Sequence, residues 1–256
     1  MLISDLKNDG YGAQLLAKVT CYVFACHYNF DYKHTPIKKC HHSNLNDLDN
    51  FFKITSNNDN NSAGSYKKIT VTREPTIFKT IIEKGGHYNI EMCHWFLETN
   101  PDLYYNETMI NTLRTMYYKT EKKHSNLFNK CKQNKKTILS IHVRRNDVTQ
   151  KRHSNKFVEL WKIEKFIKDI KEKYENLSII IYTDSTNNEM SKLISDNVFV
   201  NKCCIKETFH DFVESDMLFV GISSFSYTPA ILNKGTIFFV ENYLFKGLKH
   251  WNKIVY

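Results

Sequence analysis

Residues 137–147 read TILSIHVRRND, an apolar run that ends in strongly polar side chains. The run TILSIHV is continuous and rich in β-branched residues, which is typical of a strand buried on both faces of a parallel sheet. The polar side chains at its carboxyl end are His142, Arg144, Arg145 and Asp147. Ligands of open parallel sheets bind outside the carboxyl ends of the strands, so this stretch predicts both a fold and a site.

Strand and helix patterns alternate along the rest of this half of the chain. The segment 159–176 is amphipathic and predicts a helix whose apolar face contains Leu160, Ile163, Ile167, Ile170 and Tyr174. Further buried strands are expected at LSIIIYTD, VFV, MLFVGI and TIFFV. Helical segments separate them, and SFSYTPAILNKG is expected to be a helix that ends at Gly235. Such alternation indicates a parallel sheet covered by helices on both faces.

The start of the chain follows the same pattern. MLISDL predicts a short strand, and a turn containing Asp9, Gly10 and Gly12 leads into an amphipathic helix. A glycine turn that feeds a helix leaves backbone N–H groups available to an anion or substrate, although a plain strand-to-helix turn with positive φ explains the glycines equally. The contrast between the two halves predicts an N-terminal domain over residues 1–135 and a C-terminal domain over residues 136–256.

Three polar clusters follow predicted strands and should meet at one edge of the sheet. The second cluster is Thr183, Asp184, Ser185 and Thr186, and the third is Ser223, Ser224 and Ser226. Arginine forks match phosphate oxygens, serines at a helix start bind anions, and an aspartate accepts from a base or ribose. Each cluster alone also fits an ordinary ion pair, an N-cap or a core histidine. Together they favour a site for a nucleotide or nucleotide sugar.

The same residues resemble a known family. IHVRRND at 141–147 is similar to the H-x-R-R-x-D signature of the superfamily that includes α-1,2- and α-1,6-fucosyltransferases. IIIYTDS at 179–185 and DMLFVGISSFSYTPAILNKG at 216–235 resemble its middle and late motifs. NDGYGAQLLAKVTCYVFA at 8–25 resembles its first motif. The resemblance implies an α/β, GT-B-like fold, in which two Rossmann-like domains with parallel sheets face each other across a cleft.

Function and residue roles follow from the resemblance as expectations. It implies an inverting, metal-independent transfer of fucose from GDP-fucose to a glycan, with the donor in the C-terminal domain and the acceptor toward the N-terminal one. His142 and Asp184 would contact guanine, and Arg144 and Arg145 the diphosphate. Asp147 would fix the arginine loop. Phosphate or backbone contacts would come from Ser223, Ser224, Phe225 and Ser226, with Gly10 and Gly12 on the donor side as well. Arg144 would stabilise the leaving group, and Asp9 would act as the base.

Composition and cysteine spacing give expectations about the partner, the metal content and the location of the protein. The formal net charge of +9 favours an anionic partner. Seven cysteines without zinc-site spacing predict no structural metal, and no cofactor is expected beside the donor substrate GDP-fucose. The lack of a signal peptide or an apolar run of membrane length predicts a cytoplasmic protein without a membrane span.

Three other functions stay open. They are a transferase that uses another nucleotide sugar, an inactive sugar-binding relative and a basic nucleic-acid-binding module. Against the last, lysines alternate with glutamates on helix faces, so no nucleic-acid partner is expected. The acceptor and the oligomeric state carry no readable signal.

Overall fold

A computed structural model describes residues 1–4, 9–37, 40, 48–57, 66–70, 81, 83–91, 100–185, 188–240 and 246–256. The chain divides into two compact units. Unit 1 comprises residues 1–121 and 243–249, and unit 2 comprises residues 122–242 and 250–256. None of the described helices has the length and apolar character of a membrane span.

Unit 2 is built on a six-stranded parallel sheet. Its strands are β4 (Thr137–Val143), β5 (Leu177–Thr183), β6 (Val198–Asn201), β7 (Met217–Val220), β8 (Thr236–Val240) and β9 (Asn252–Ile254). They lie in the order β6-β5-β4-β7-β8-β9, which is the doubly wound order of a Rossmann-type sheet. All seven residues of β5 are buried, because helices cover both faces of the sheet. The parallel sheet predicted for this half of the chain is therefore confirmed.

Helices of unit 2 supply the covering layers. They are α5 (Asn126–Gln133), α6 (Leu160–Lys171), α7 (Ile205–Glu214) and α8 (Ser224–Leu232), with 3-10 turns at Ser154–Lys156 and Asn188–Leu193. The apolar face of α6 buries Ile163, Phe166, Ile167 and Ile170 against one face of the sheet. Each such side chain contributes about 1.5–3 kcal/mol through removal from water.

Two helix ends differ from the prediction. The helix α6 stops at Lys171, so Tyr174 lies beyond it and is 40% exposed instead of completing the apolar face. The helix α8 stops at Leu232, because the Asn233 amide donates to the carbonyls of Phe212 and Ser215, both at 2.8 Å, and leaves the helical path.

The division of the chain also lies elsewhere than at residues 135 and 136, which fall inside unit 2. The physical reason is a buried carboxylate on α7. Asp211 accepts from His124 Nδ1 at 2.8 Å and from the Ser125 backbone N–H at 3.3 Å, so the segment that leads into α5 is fixed to unit 2. Phe128 and Cys131 of α5 are buried as well.

Unit 1 contains a smaller parallel sheet. Its strands β1 (Leu2–Ser4), β2 (Lys67–Thr70) and β3 (Tyr88–Glu91) lie in the order β1-β3-β2. The long helix α1 (Tyr11–His27) follows β1 and is buried along most of its length. The other described helices of unit 1 are α2 (Leu48–Phe51), α3 (Pro101–Tyr104) and α4 (Glu107–Tyr117). The predicted first strand and helix are confirmed, and residues 5 and 6 of that strand lie outside the described residues.

Candidate functional site

The sheet of unit 2 changes winding direction between β4 and β7. The chain proceeds from β4 to β5 on one side and from β7 to β8 on the other. Helix α6 packs on the face that carries Ile141 and Phe219, whereas Phe212 and Phe225 lie against His142 on the opposite face. The loops that leave β4 and β7 therefore diverge, and they open a crevice at the strands' carboxyl ends, where sheets of this kind bind ligands.

His142 lies on β4 beside this crevice. Its Nδ1 atom is 2.9 Å from the Ser226 hydroxyl oxygen. Burial lowers the pKa of His142 to about 4, and the positive charge of Arg144 adds to this effect while Asp184 opposes it. The imidazole is therefore neutral at neutral pH and serves as a hydrogen-bonding group.

This burial predicts a pH-dependent stability. We expect the free energy of unfolding to fall as the pH is lowered from about 6.5 towards 4, by up to about 1.4 kcal/mol per pH unit for each such histidine. Burial also lowers the pKa of His210, to about 3. Stability falls at low pH because the folded protein keeps both imidazoles neutral, whereas the same histidines of the unfolded chain bind protons near pH 6.5. Urea titrations of His142→Gln should show a smaller decrease of the unfolding free energy between pH 6.5 and 4. The variant His153→Gln, at an exposed position, should show the same decrease as wild type. Equal slopes for all three proteins would contradict the prediction.

Arg144 directly follows the carboxyl end of β4 and pairs with Asp147. Its Nε donates to Asp147 Oδ1 at 2.7 Å and its Nη2 donates to the other carboxylate oxygen, which forms a bidentate pair. The arginine side chain is 27% exposed, and Nη1 has no partner among the described residues. Asp147 therefore orients the Arg144 side chain and leaves one edge of the fork available to a ligand.

Arg145 points the other way. Its guanidinium is buried against Phe157, 4.2 Å from the ring centroid, and donates to Glu189, to the Arg144 carbonyl at 3.1 Å and to the Val158 carbonyl at 2.7 Å. Protein acceptors thus engage its Nε and both its Nη atoms, and these contacts anchor the loop that carries Arg144. The expected contact of Arg145 with a diphosphate stays a prediction.

Asp184 directly follows β5, and its carboxylate binds the backbone of the loop that carries Arg144 and Arg145. Its Oδ1 accepts from the backbone N–H groups of Arg145 at 2.6 Å and Asn146 at 3.1 Å. Among the described residues, none donates to Oδ2, and the side chain is exposed. Asp184 can thus fix the loop and accept from a ligand at the same time. Thr186, from the same predicted cluster, lies outside the described residues.

The three serines after β7 have different hydrogen-bonding partners. Ser223 is the N-cap of α8 and accepts from the Phe225 N–H at 3.3 Å, and the fully buried Ser226 contacts His142. Ser224 is partly exposed in the first turn, and its hydroxyl has no partner within the described part of the chain. Of the three serines, Ser224 is the one that can present a hydroxyl to an anion at the helix N-terminus.

Asp9, Gly10 and Gly12 belong to unit 1 and form the start of α1. Asp9 is exposed and its Oδ1 accepts from the Gly10 N–H at 2.6 Å. Gly10 is the N-cap with φ −62° and ψ 155°, so it does not need the positive φ that a plain glycine turn would require. Its carbonyl already accepts from the Ala13 and Gln14 amides.

Two residues that shape the site, Glu189 and Gly221, were not predicted from the sequence. Glu189 carries no motif, and its role follows only from the buried guanidinium it pairs with. Gly221 ends the strand that leads to the serines, and a Cβ placed there would lie 2.6 Å from the His142 carbonyl oxygen. A glycine directly after a buried strand was the available signal for this close approach.

Within the described ranges, no group of three or more histidine, cysteine, aspartate or glutamate side chains could hold a metal ion.

Comparison with known proteins gives a likeness of fold. No protein-family model matches the chain, and no curated protein is similar to it in sequence. Among solved structures, fucosyltransferase NodZ from Bradyrhizobium is similar at a TM-score of 0.48 and 12% identity over 91% of this chain and 92% of NodZ. NodZ alpha-1,6-fucosyltransferase soaked with GDP-fucose is similar at a TM-score of 0.48 and 14% identity, over 91% of this chain and 92% of that one.

A plant protein extends the comparison. A variant of FUT1 from Arabidopsis thaliana in complex with GDP is similar at a TM-score of 0.50 and 11% identity, over 94% of this chain and 70% of FUT1. This likeness, together with the two parallel sheets, confirms the predicted α/β, GT-B-like fold class.

Proposed function

We propose that the chain is an inverting, metal-independent glycosyltransferase that moves fucose from GDP-fucose to a hydroxyl group of a glycan. The observation that carries the proposal is the position of Arg144 at the switch point of the sheet. Asp147 holds its fork in one orientation and Nη1 remains available, while Ser224 offers a hydroxyl at a helix N-terminus. A guanidinium and a helix start are the groups that proteins use for phosphate oxygens.

The donor roles follow from the hydrogen-bonding capacity of each residue. Arg144 and Ser224 would bind the diphosphate. Asp184 Oδ2 accepts hydrogen bonds, so it suits the ring N–H and amino group of guanine. Neutral His142 would contact the base as well. Arg145 serves as the positioning residue of the loop. The GDP-fucose and GDP complexes of the similar fucosyltransferases support this choice of donor.

The proposed transfer is a single displacement. The acceptor oxygen bonds to C1 of fucose as the bond from C1 to the β-phosphate oxygen breaks, and GDP leaves with the bonding electron pair. Negative charge then grows on the β-phosphate, and Arg144 would stabilise this charge. A fixed donor of this kind contributes about 10²–10³-fold in rate at comparable sites. The acceptor proton passes to a base, for which Asp9 is our candidate.

The role of Asp9 gives a separate prediction. If its carboxylate takes the acceptor proton, Asp9→Asn should lower kcat by about 10²–10⁴-fold and leave GDP affinity unchanged, because the amide cannot accept the proton. Steady-state transfer and GDP titration check both parts. Asp31→Asn, another exposed acid of unit 1, is the control and should keep wild-type kcat. Full turnover by Asp9→Asn would remove Asp9 from the mechanism.

Calorimetric titration tests the function as a whole. GDP and GDP-fucose are titrated into the protein with a chelator present, and UDP and ADP serve as controls. We expect selective binding of the two guanine nucleotides, followed by release of fucose from GDP-fucose in a hydrolysis assay. Preference for UDP or ADP would favour a transferase with another donor. Absence of binding by all four nucleotides to folded protein would overturn the proposal.

A further inference from the structure

A second cavity lies beside the arginine loop, away from the switch point. Its volume is about 480 Å³, within the usual range of small-molecule sites. It is lined by residues that follow β4 and β5, among them Arg145, Lys151, Ser185 and Glu189. The switch-point crevice lies between β4 and β7 instead. The two sites therefore share the arginine loop and use different strand ends.

The charge of this cavity is positive. Arg145 and Glu189 line it and pair with each other, so together they add no net charge. Lys151 also lines it, is exposed and has no partner among the described residues. The adjoining Arg152 is likewise exposed and unpaired there, and the segment 148–158 contains no acidic residue. An anionic group is thus the ligand that the cavity favours.

The segment that carries these cations is held in one shape. The Thr149 N–H donates to the Arg152 carbonyl at 2.8 Å, and the Arg152 N–H donates to the Thr149 hydroxyl at 2.9 Å. Val148 is fully buried beneath them and its N–H donates to the Arg145 carbonyl at 3.1 Å. Lys151 therefore lies in a turn closed at both ends, which lowers the entropy cost of binding.

We propose that this cavity is a subsite for an oxyanion substituent of the acceptor glycan, a phosphate, sulfate or carboxylate, with Lys151 of its lining as the first cationic ligand and the adjoining Arg152, outside the lining, as the second. The assignment rests on the proposed function, because that function places the donor diphosphate at Arg144 and Ser224. A donor held there leaves the charge of Lys151 and Arg152 without a counterpart. An acidic sugar would supply that counterpart and would explain why this segment carries cations and no acids.

The test compares galactose 6-phosphate and galactose 6-sulfate with neutral galactose, in titrations of the whole chain with and without GDP. We expect the wild type to prefer the charged sugars by about tenfold or more, since a hydrogen bond to a charged group contributes at least that factor. Added salt should weaken the preference. The Lys151→Gln, Arg152→Gln double variant should abolish it and leave the GDP Kd unchanged. The exposed Lys165→Gln, Lys173→Gln double variant matches the loss of charge and should behave as wild type.

The outcomes separate this inference from the donor assignment. Equal affinity for charged and neutral sugars in the wild type, or a preference that survives the double variant, would overturn the subsite. A weaker GDP affinity in the double variant with an unchanged sugar preference would also overturn it, because the two cations would then serve the donor. If GDP fails to bind the wild type while the sugar preference follows Lys151 and Arg152, the proposed donor is wrong and the anion subsite stands.

Discussion

Arg144→Ala is expected to slow fucose transfer strongly and to weaken GDP binding. We expect kcat to fall by about 10³-fold, because Arg144 is the cation proposed to meet the charge that develops on the leaving β-phosphate. GDP affinity should fall by about 10–100-fold, through loss of a charge-assisted hydrogen bond. Removing the fork also takes the Arg144 cation away from the Asp147 carboxylate beside the proposed phosphate site, which adds repulsion. Titration with GDP and single-turnover transfer from GDP-fucose measure the two effects.

Two further variants make the result specific. Arg144→Lys keeps the charge and loses the bidentate geometry with Asp147, so it should recover part of the GDP affinity and little of kcat. Arg114→Ala removes the same residue type from helix α4 of unit 1 and should leave both quantities unchanged. Near-normal transfer by a folded Arg144→Ala protein would show that Arg144 does not stabilise the leaving group.

Gly221→Ala is expected to remove GDP binding and to lower stability together. The new Cβ would lie 2.6 Å from the His142 carbonyl oxygen, and a backbone group cannot rotate away as a side chain can. The ends of β4 and β7 must then separate, which displaces both His142 and the start of α8. Such overpacking costs about 1–3 kcal/mol, which for a protein of this size lowers Tm by about 2–4 °C per kcal/mol.

Gly235→Ala is the control variant that separates the loss of stability from the loss of GDP binding. Its Cβ would lie 2.1 Å from the Asp216 carbonyl oxygen, in the turn that enters β8, at the edge of the sheet opposite the crevice. We expect this variant to lose at least as much stability as Gly221→Ala while its folded fraction binds GDP normally. Thermal melting and GDP titration are measured on both proteins. Normal GDP affinity in Gly221→Ala would mean that the close approach at Gly221 supports only the fold.

Local sequence determined the architecture of unit 2 to a large extent. TILSIHV and LSIIIYT are long apolar runs, and a strand buried on both faces needs such a run whatever its partners. The place of the polar clusters followed as well, because residues directly after parallel strands must lie at the same edge. Unit 1 was less readable since β2 and β3 are short and KKIT and YNIE mix polar with apolar residues. The three-residue strand β9 was missed for the same reason.

The sequence by itself thus determined the parallel sheet and the edge that carries the polar residues. Only the tertiary structure decided which arginine faces the crevice, because Glu189, which draws Arg145 inward, is distant in sequence. It also decided that Ser223 and Ser226 use their hydroxyls internally while Ser224 does not. The reason is physical: a strand pattern reports burial along one segment, whereas the direction of a long polar side chain depends on partners that folding brings from elsewhere.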